Sequence, residues 1–315
     1  MSSATYVPPV AELDASDIRP TLRETSIREF SRDSFLRFRK SDGFSFARSL
    51  AFQIVLAVIP GMIMVVGIAV RIGEGRLQTL IREGITTLAP GPASEMFLQA
   101  FQQGSEAATS GSFWPIVGGG LAALVSAVTA MAQLQRGASR IYGVQTDRTT
   151  FKRYLLATLL TLTVGLALTT AFILIVFGST VGGDLQSQIA QTWAWARWPL
   201  GLISLTGGLA LLFKAAPNRP QPGLGWLALG GTIATVGWLL VSVALASFLN
   251  ASRLFGDTYG PLAGFMGLVL WAQFSGIAIL YGLAVAAQLE AIQADVDEPV
   301  GKDPHPESSR EAVIS

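Results

Sequence analysis

Six long apolar stretches, at about residues 47–70, 113–134, 154–177, 198–213, 224–249 and 261–289, set the terms on which this chain can fold. A helix needs about 20 residues to cross the roughly 30 Å hydrocarbon core of a bilayer. All of the stretches reach that length except 198–213, which needs its flanking residues to do so. Hydrocarbon offers no water to satisfy peptide N–H and C=O groups, so a single-chain segment crossing it closes its hydrogen bonds as a helix. The expected fold is therefore all-α, a polytopic membrane protein with six transmembrane helices. Composition agrees, because 14% of the 315 residues are charged where a soluble domain carries about a quarter.

The loops between the stretches carry Lys and Arg alternately at high and low density. Eight precede the first span, through Arg48, three lie between Arg71 and Gly111, and five run from Arg136 to Arg153. Arg197 follows alone, then Lys214 with Arg219, then Arg253 alone. Basic loops stay on the cytoplasmic side, so both termini are expected to be cytoplasmic. Trp114, Trp193, Trp195, Trp198 and Trp226 sit near span ends, as interfacial aromatics do. Residues 1–25 are polar, contain no apolar core of a cleavable signal, and are expected to form a disordered tail. The resulting division is a tail over 1–25, a cytoplasmic amphipathic helix over 26–46, a six-helix membrane domain over 47–290 and a disordered acidic tail over 291–315.

Ile27, Phe30, Ser34 and Phe38 form a helical stripe flanked by Arg28, Arg32, Arg37, Arg39 and Lys40. Such a helix can lie on an anionic leaflet or pack beneath the bundle. Asp42-Gly43 ends it. Pro60-Gly61 in the first span removes a backbone donor and is expected to kink that helix. Between spans one and two, Leu77, Leu80, Ile81, Ile85 and Leu88, then Phe97, Leu98 and Phe101, recur at helical spacing. They are expected to form two interfacial helices over the outer face.

Few residues offer chemistry. Arg136 and Arg140, four apart at the end of span two, project from one helical face and can grip a phosphate or carboxylate, or serve as positive-inside anchors. Gln53, Ser126, Thr129, Gln133 and Gln273 are polar side chains in or at the ends of the spans. An amide in hydrocarbon must find a partner, so Gln53 and Gln273 are expected to face the bundle or a hydrated cavity. Gly256, Gly260 and Gly264 recur every fourth residue around Pro261, a spacing suited to close helix approach. Gly118-Gly119-Gly120 is followed by no Lys-Ser or Lys-Thr and is not a phosphate-binding loop. There is no cysteine, which excludes disulfides and thiolate sites, and His305 is a lone tail histidine. Without intramembrane His, Asp or Glu, acid–base catalysis, a metal-dependent nuclease and a proton relay all lack their groups. The net charge of +1 lacks the basic excess of a nucleic-acid binder. No catalytic, metal or cofactor site is expected.

Several stretches carry a resemblance: Leu50-Ala51-Phe52-Gln53 with Pro60, Gln133 to Gly143 with Arg153, Pro217-Asn218-Arg219, and Tyr259-Gly260-Pro261-Leu262-Ala263-Gly264 with Trp271. In this order they resemble the YihY/virulence factor BrkB family of bacterial inner-membrane proteins, once labelled ribonuclease BN-like, over about residues 30–293. The resemblance implies six helices with both ends inside. Departures are Phe52-Gln53 for an aromatic pair, Trp271-Ala272-Gln273 for Trp-Leu-Tyr, and Gly282-Leu283-Ala284-Val285-Ala286 for Gly-Ala-Glu-Leu-Asn, which places the acidic position at Ala284. The functional expectation is an inner-membrane transporter or permease-like protein handling a lipid or another amphipathic or anionic solute, with membrane lipids as partners. The alternative is a non-transporting envelope scaffold.

Overall fold

The computed structural model describes residues 4–10, 13–72, 79, 92–109, 113–144, 146–182, 187–251 and 261–299. Among them are nine α-helices and one 3-10 turn, with no strand. In chain order the helices are α1 Ile18–Glu24, α2 Ile27–Lys40, α3 Gly43–Ile72, α4 Pro92–Thr109, α5 Trp114–Ile141, α6 Thr150–Gly182, α7 Ser187–Ala215, α8 Leu224–Ala251 and α9 Pro261–Gln293. Segments of α3, α5, α7, α8 and α9 are long and apolar enough to cross a membrane. Helix α6, 33 residues long, covers the third apolar stretch. Each long helix overruns its apolar stretch, because the helix continues through the interfacial zone where side chains, not the backbone pattern, become polar.

The six long helices pack in chain order, α3 on α5, α5 on α6, α6 on α7, α7 on α8 and α8 on α9, and α9 closes the ring on α3. Between apolar helices in lipid there is no hydrophobic drive, so close backbone approach through small residues supplies the contact. The crossings bear this out. A Cβ at Gly119 of α5 would lie 2.8 Å from the Pro60 carbonyl of α3, one at Gly231 of α8 2.9 Å from the Thr206 carbonyl of α7, and one at Gly230 2.6 Å from the Gly282 carbonyl of α9. At Gly276 it would meet the Ala47 carbonyl at 3.1 Å. Gly119 and Gly120 are thus a packing surface against α3, while Gly118 faces open space. Outward, Leu121, Val125, Ile203, Leu240 and Val243 are exposed, an apolar girdle suited to lipid. Helix α3 runs unbroken through Pro60.

One end of the ring is capped. Helix α2 ends where Asp42 takes a positive φ of 59°, as the Asp42-Gly43 break requires, and α2 packs against α9. Of its stripe, Ser34 and Phe38 are buried and Phe30 half-buried, while Ile27 stays exposed. Phe38 stacks edge-on with Phe44 at 4.8 Å and Tyr281 at 6.1 Å. Residues 4–10 and 13–24, expected as a disordered lead, are built into this cap: Ala4, Val7, Leu13 and Thr21 are buried. Val7 N–H donates to the Tyr142 carbonyl at 3.1 Å and Gly223 N–H to the Leu13 carbonyl at 3.1 Å. The segment is tied down through its backbone groups, of which side-chain periodicity carries no trace. At the opposite end, α4 realises the stripe at Phe97, Leu98 and Phe101 and lies on α3 and α9. The stripe from Leu77 to Leu88 falls outside the described residues, as do Gly256, Gly260, His305 and the tail from 300.

Candidate functional site

The residues that sequence reasoning singled out do not gather in one place. Arg136 and Arg140 are both half-exposed at the capped end, where Arg136 lies 3.9 Å from Asp147 and Arg140 3.3 Å from Asp42. Each arginine therefore ties the end of α5 to a neighbouring loop. Thr129 returns its hydroxyl to the Val125 carbonyl at 2.7 Å, satisfying itself on its own helix. Ser126, Gln133 and Gln53 are half-buried. Pro60 and Gly61 sit at the crossing with α5, Ala123 being 3.5 Å from where a Gly61 Cβ would be. Gly264 is in the first turn of α9.

What the fold does bring together, at the capped end, is a buried polar knot assembled from sequence-distant pieces. Arg219, from the α7–α8 loop, forms a nearly dry ion pair with Glu290 of α9. It also donates to the Val7 carbonyl at 2.7 Å and stacks over the Tyr142 ring at 4.5 Å. The other face of the knot is Arg37 of α2, fully buried, whose Nε donates to Gln288 Oε1 at 2.8 Å and whose Nη1 donates to the Thr5 carbonyl at 3.0 Å. Val10 N–H in turn donates to Glu290 at 3.2 Å. Burial pushes Arg37 down to about 10, which leaves it a cation at neutral pH. Burial, and next the Glu290 carboxylate, push the Tyr142 phenol upward, so it stays neutral.

Beside the knot, Arg148 closes the end of α7 by donating to the carbonyls of Ala215 at 3.2 Å, Ala216 at 2.8 Å and Pro217 at 2.8 Å. A cation there satisfies the orphan carbonyls and meets the negative end of the helix dipole. Asn218 N–H donates to Ser139 Oγ at 3.1 Å, and its amide to the Thr146 carbonyl at 3.0 Å. Arg153 joins through Asp147 at 3.1 Å. Two of the stretches that carried the family resemblance, Gln133 to Gly143 with Arg153 and Pro217-Asn218-Arg219, thus meet here. Ala284, by contrast, is buried in the apolar core, and the polar residues in the last turns of α9 that join the knot are Gln288 and Glu290. Sequence reading met Arg37 only as a flank of the amphipathic helix and Arg219 only as a loop cation in a family stretch, and passed over Gln288 and Glu290; the available signal was a Gln and a Glu inside the largely apolar close of α9.

The second feature is a groove of about 820 Å³ between α3 and α9, lined by Arg48, Phe52, Leu56 and Pro60 on one side and by Phe265, Leu270 and Gln273 on the other. The two helices run antiparallel: Ala47 meets Gly276, and farther along Ala51 and Val55 cluster with Ala272 and Leu268. Phe52 is 62% and Leu56 45% exposed, so the groove opens sideways onto the apolar girdle. Gln273 has no hydrogen-bond partner among the described residues, and Arg48 donates to Ser45 Oγ at 3.0 Å. The described residues hold no group of three or more His, Cys, Asp or Glu placed to bind a metal.

A family model described as virulence factor BrkB matches residues 34–307. The chain is 26% identical over 277 residues to the ribonuclease-like protein YfkH of Bacillus subtilis (strain 168), covering 85% of this chain and 98% of that one. It is 27% identical over 275 residues to a UPF0761 membrane protein of Azoarcus sp. (strain BH72), covering 84% of this chain. A UPF0761 membrane protein of Aromatoleum aromaticum is 26% identical over 273 residues, again covering 84% of this chain. The chain spans 64% of the length of each of these two UPF0761 relatives. No solved structure matches it.

Proposed function

The chain belongs to the virulence factor BrkB family of integral membrane proteins, and from that premise we propose that it handles a lipid from within the bilayer of the bacterial inner membrane, as a transporter-like protein with six spans and both termini in the cytoplasm. Topology is supported by the cap. Thr5 N–H donates to the Pro299 carbonyl at 3.1 Å, so both ends of the described chain lie at one end of the ring, which takes an even number of crossings. The five candidate spans become six with α6. The capped end gathers the arginines of the first, third and fifth basic segments, which favours the cytoplasmic side.

The observation that carries the lipid reading is the laterally open groove between α3 and α9. A hydrophilic solute would need a continuous polar path, whereas Gln53, Thr129, Gln273 and Arg136 are dispersed and the capped end is packed shut. A lipid needs neither; it enters from the side. The test is reconstitution into liposomes and measurement of labelled phospholipid exchange between leaflets. Transfer faster than in protein-free vesicles is expected, and equal rates would overturn the reading. A scaffold acting through its amphipathic helix is the second reading, favoured by Ile27 at 79% and Phe35 at 44% exposure on α2 and by the carboxylates already engaging Arg136 and Arg140. Under it the same vesicles give no acceleration. The ribonuclease in the name of the Bacillus relative would require RNA cleavage by the purified protein, and neither the polar knot nor the groove pairs a nucleophile with an accessible general base.

A further inference from the structure

We propose that the groove between α3 and α9 is a binding site for an anionic diacyl glycerophospholipid of the inner leaflet, with Arg48 taking the phosphate, Gln273 an ester carbonyl and the wall from Val55 to Pro60 an acyl chain. The inference rests on the lipid-handling reading and on the orientation given with it, and it specifies the ligand and its residues. Polarity along the groove changes in the order that such a molecule presents. The close approach of Gly276 to the Ala47 carbonyl, 3.1 Å from a Cβ, fixes the register of the two antiparallel helices. At 1.5 Å per residue, Arg48 lies on the outward side of that point by one residue and Gln273 by three, so Gln273 stands roughly 3 Å deeper in the bilayer than Arg48. The flexible arginine stem lets the guanidinium reach back toward the headgroups, which widens the interval to that between a lipid phosphate and its esters.

Beyond Gln273 the lining is apolar, through Val55, Leu56 and Ile59 to Pro60 and Phe265. From Arg48 to Pro60 the wall is roughly 18 Å long, somewhat more than half of the hydrocarbon thickness, which suits one leaflet. Gln273 gives the second, independent indication. A primary amide facing hydrocarbon without a partner costs free energy, and an ester carbonyl at that depth accepts from its N–H. Arg48 is free to bond a phosphate, because Ser45 Oγ takes one of its five donors. A fork of donors favours a phosphate oxygen pair over a neutral headgroup.

Native mass spectrometry of the full chain in detergent, with phosphatidylglycerol and the diacylglycerol of identical chains, which lacks the phosphate, offered together, tests this. The wild type is expected to retain phosphatidylglycerol about tenfold better, as one charge-assisted contact implies. Arg48→Ala should abolish the preference while still binding both lipids weakly, and Gln273→Leu should weaken both equally. Leu270→Trp, at a position 37% exposed on the groove wall, should fill the groove and lose both lipids without touching the core. Equal retention of the two lipids by the wild type, or an unchanged preference in Arg48→Ala, would overturn the site. The leaflet-exchange assay separates the two readings: exchange that persists in all three variants removes the groove as the site and leaves lipid handling in place. Phosphatidylglycerol held at the groove by a wild type that exchanges no lipid supports the site and removes the transport reading.

Discussion

Arg219 and Glu290 are the two residues on which the capped end most depends. Their side chains are 3% and 0% exposed, so each has given up its hydration and is compensated by the other. Removing one partner of such a pair leaves a buried uncompensated charge, which costs about 3–5 kcal/mol. Arg219→Met and Glu290→Leu are each expected to lower thermal stability in detergent by that order, and the double variant Arg219→Met with Glu290→Leu by clearly less than the sum of the two. Additive losses in this double-mutant cycle would refute the pairing. Tyr142 behaves differently. Its hydroxyl has no hydrogen-bond partner among the described residues, so Tyr142→Phe keeps the ring beneath Arg219 and should cost almost nothing at neutral pH. At alkaline pH the sign is fixed by linkage: the folded phenol titrates above its unfolded value of about 10, so the unfolded chain releases a proton that the folded chain keeps. Stability should fall as pH rises past about 10, and Tyr142→Phe should lose that part of the slope. That these residues meet was not legible in the sequence, because Arg37, Arg219 and Glu290 are separated by 251, 212 and 71 positions from the groups they meet. Arg136 and Arg140 did stand out, being neighbours on one helix, and turn out to be held by surface carboxylates.

At the scale of elements the sequence was far more readable, since spans and breaks are written in short-range pattern. The six apolar stretches, the Asp42-Gly43 break and the α4 stripe each correspond to a helix or a helix end. Tertiary partners were not readable, and the glycines illustrate why: Gly118 and Gly119 are indistinguishable by type and setting, yet a Cβ at the first meets nothing within 4 Å and at the second meets the Pro60 carbonyl at 2.8 Å. That difference makes a prediction for the crossings. Gly230→Leu would drive a side chain into the Gly282 backbone, where no rotamer can yield, and should destabilise by about 1–3 kcal/mol. Gly207→Ala, which faces open space in α7, should be neutral or stabilise by up to about 1 kcal/mol, by removing backbone entropy from the unfolded chain. Thermal unfolding of the two variants in the same detergent compares them directly, and equal effects would mean that the α8–α9 contact is not where the fold closes.

For the whole molecule, the arrangement of charge about the ring makes sidedness testable. The arginines of the cap are of two kinds, buried ones that knot the N-terminal segment to α9 and exposed ones that face water or headgroups, and both kinds lie at the same end. If the membrane held them on the outer side, the cap would have to be carried across with Arg37, Arg219 and Glu290 already folded, or assembled after crossing with each charge first exposed to lipid. Positive-inside insertion avoids that step, since the basic loops never leave the cytoplasm and the knot forms where its pieces are made. Because the chain has no cysteine, single cysteines report position without background. Ser26→Cys, Thr146→Cys and Glu298→Cys are expected to resist a membrane-impermeant maleimide in intact cells and to react once the membrane is opened. Glu106→Cys and Gln191→Cys, exposed at the opposite end, should react from outside in intact cells. Labelling of the first three from outside would invert the protein, and with it move Arg48 and the groove to the other leaflet. A split among the first three would be the more damaging outcome, because Thr5 and Pro299 share a hydrogen bond and cannot lie on opposite sides of the same bilayer.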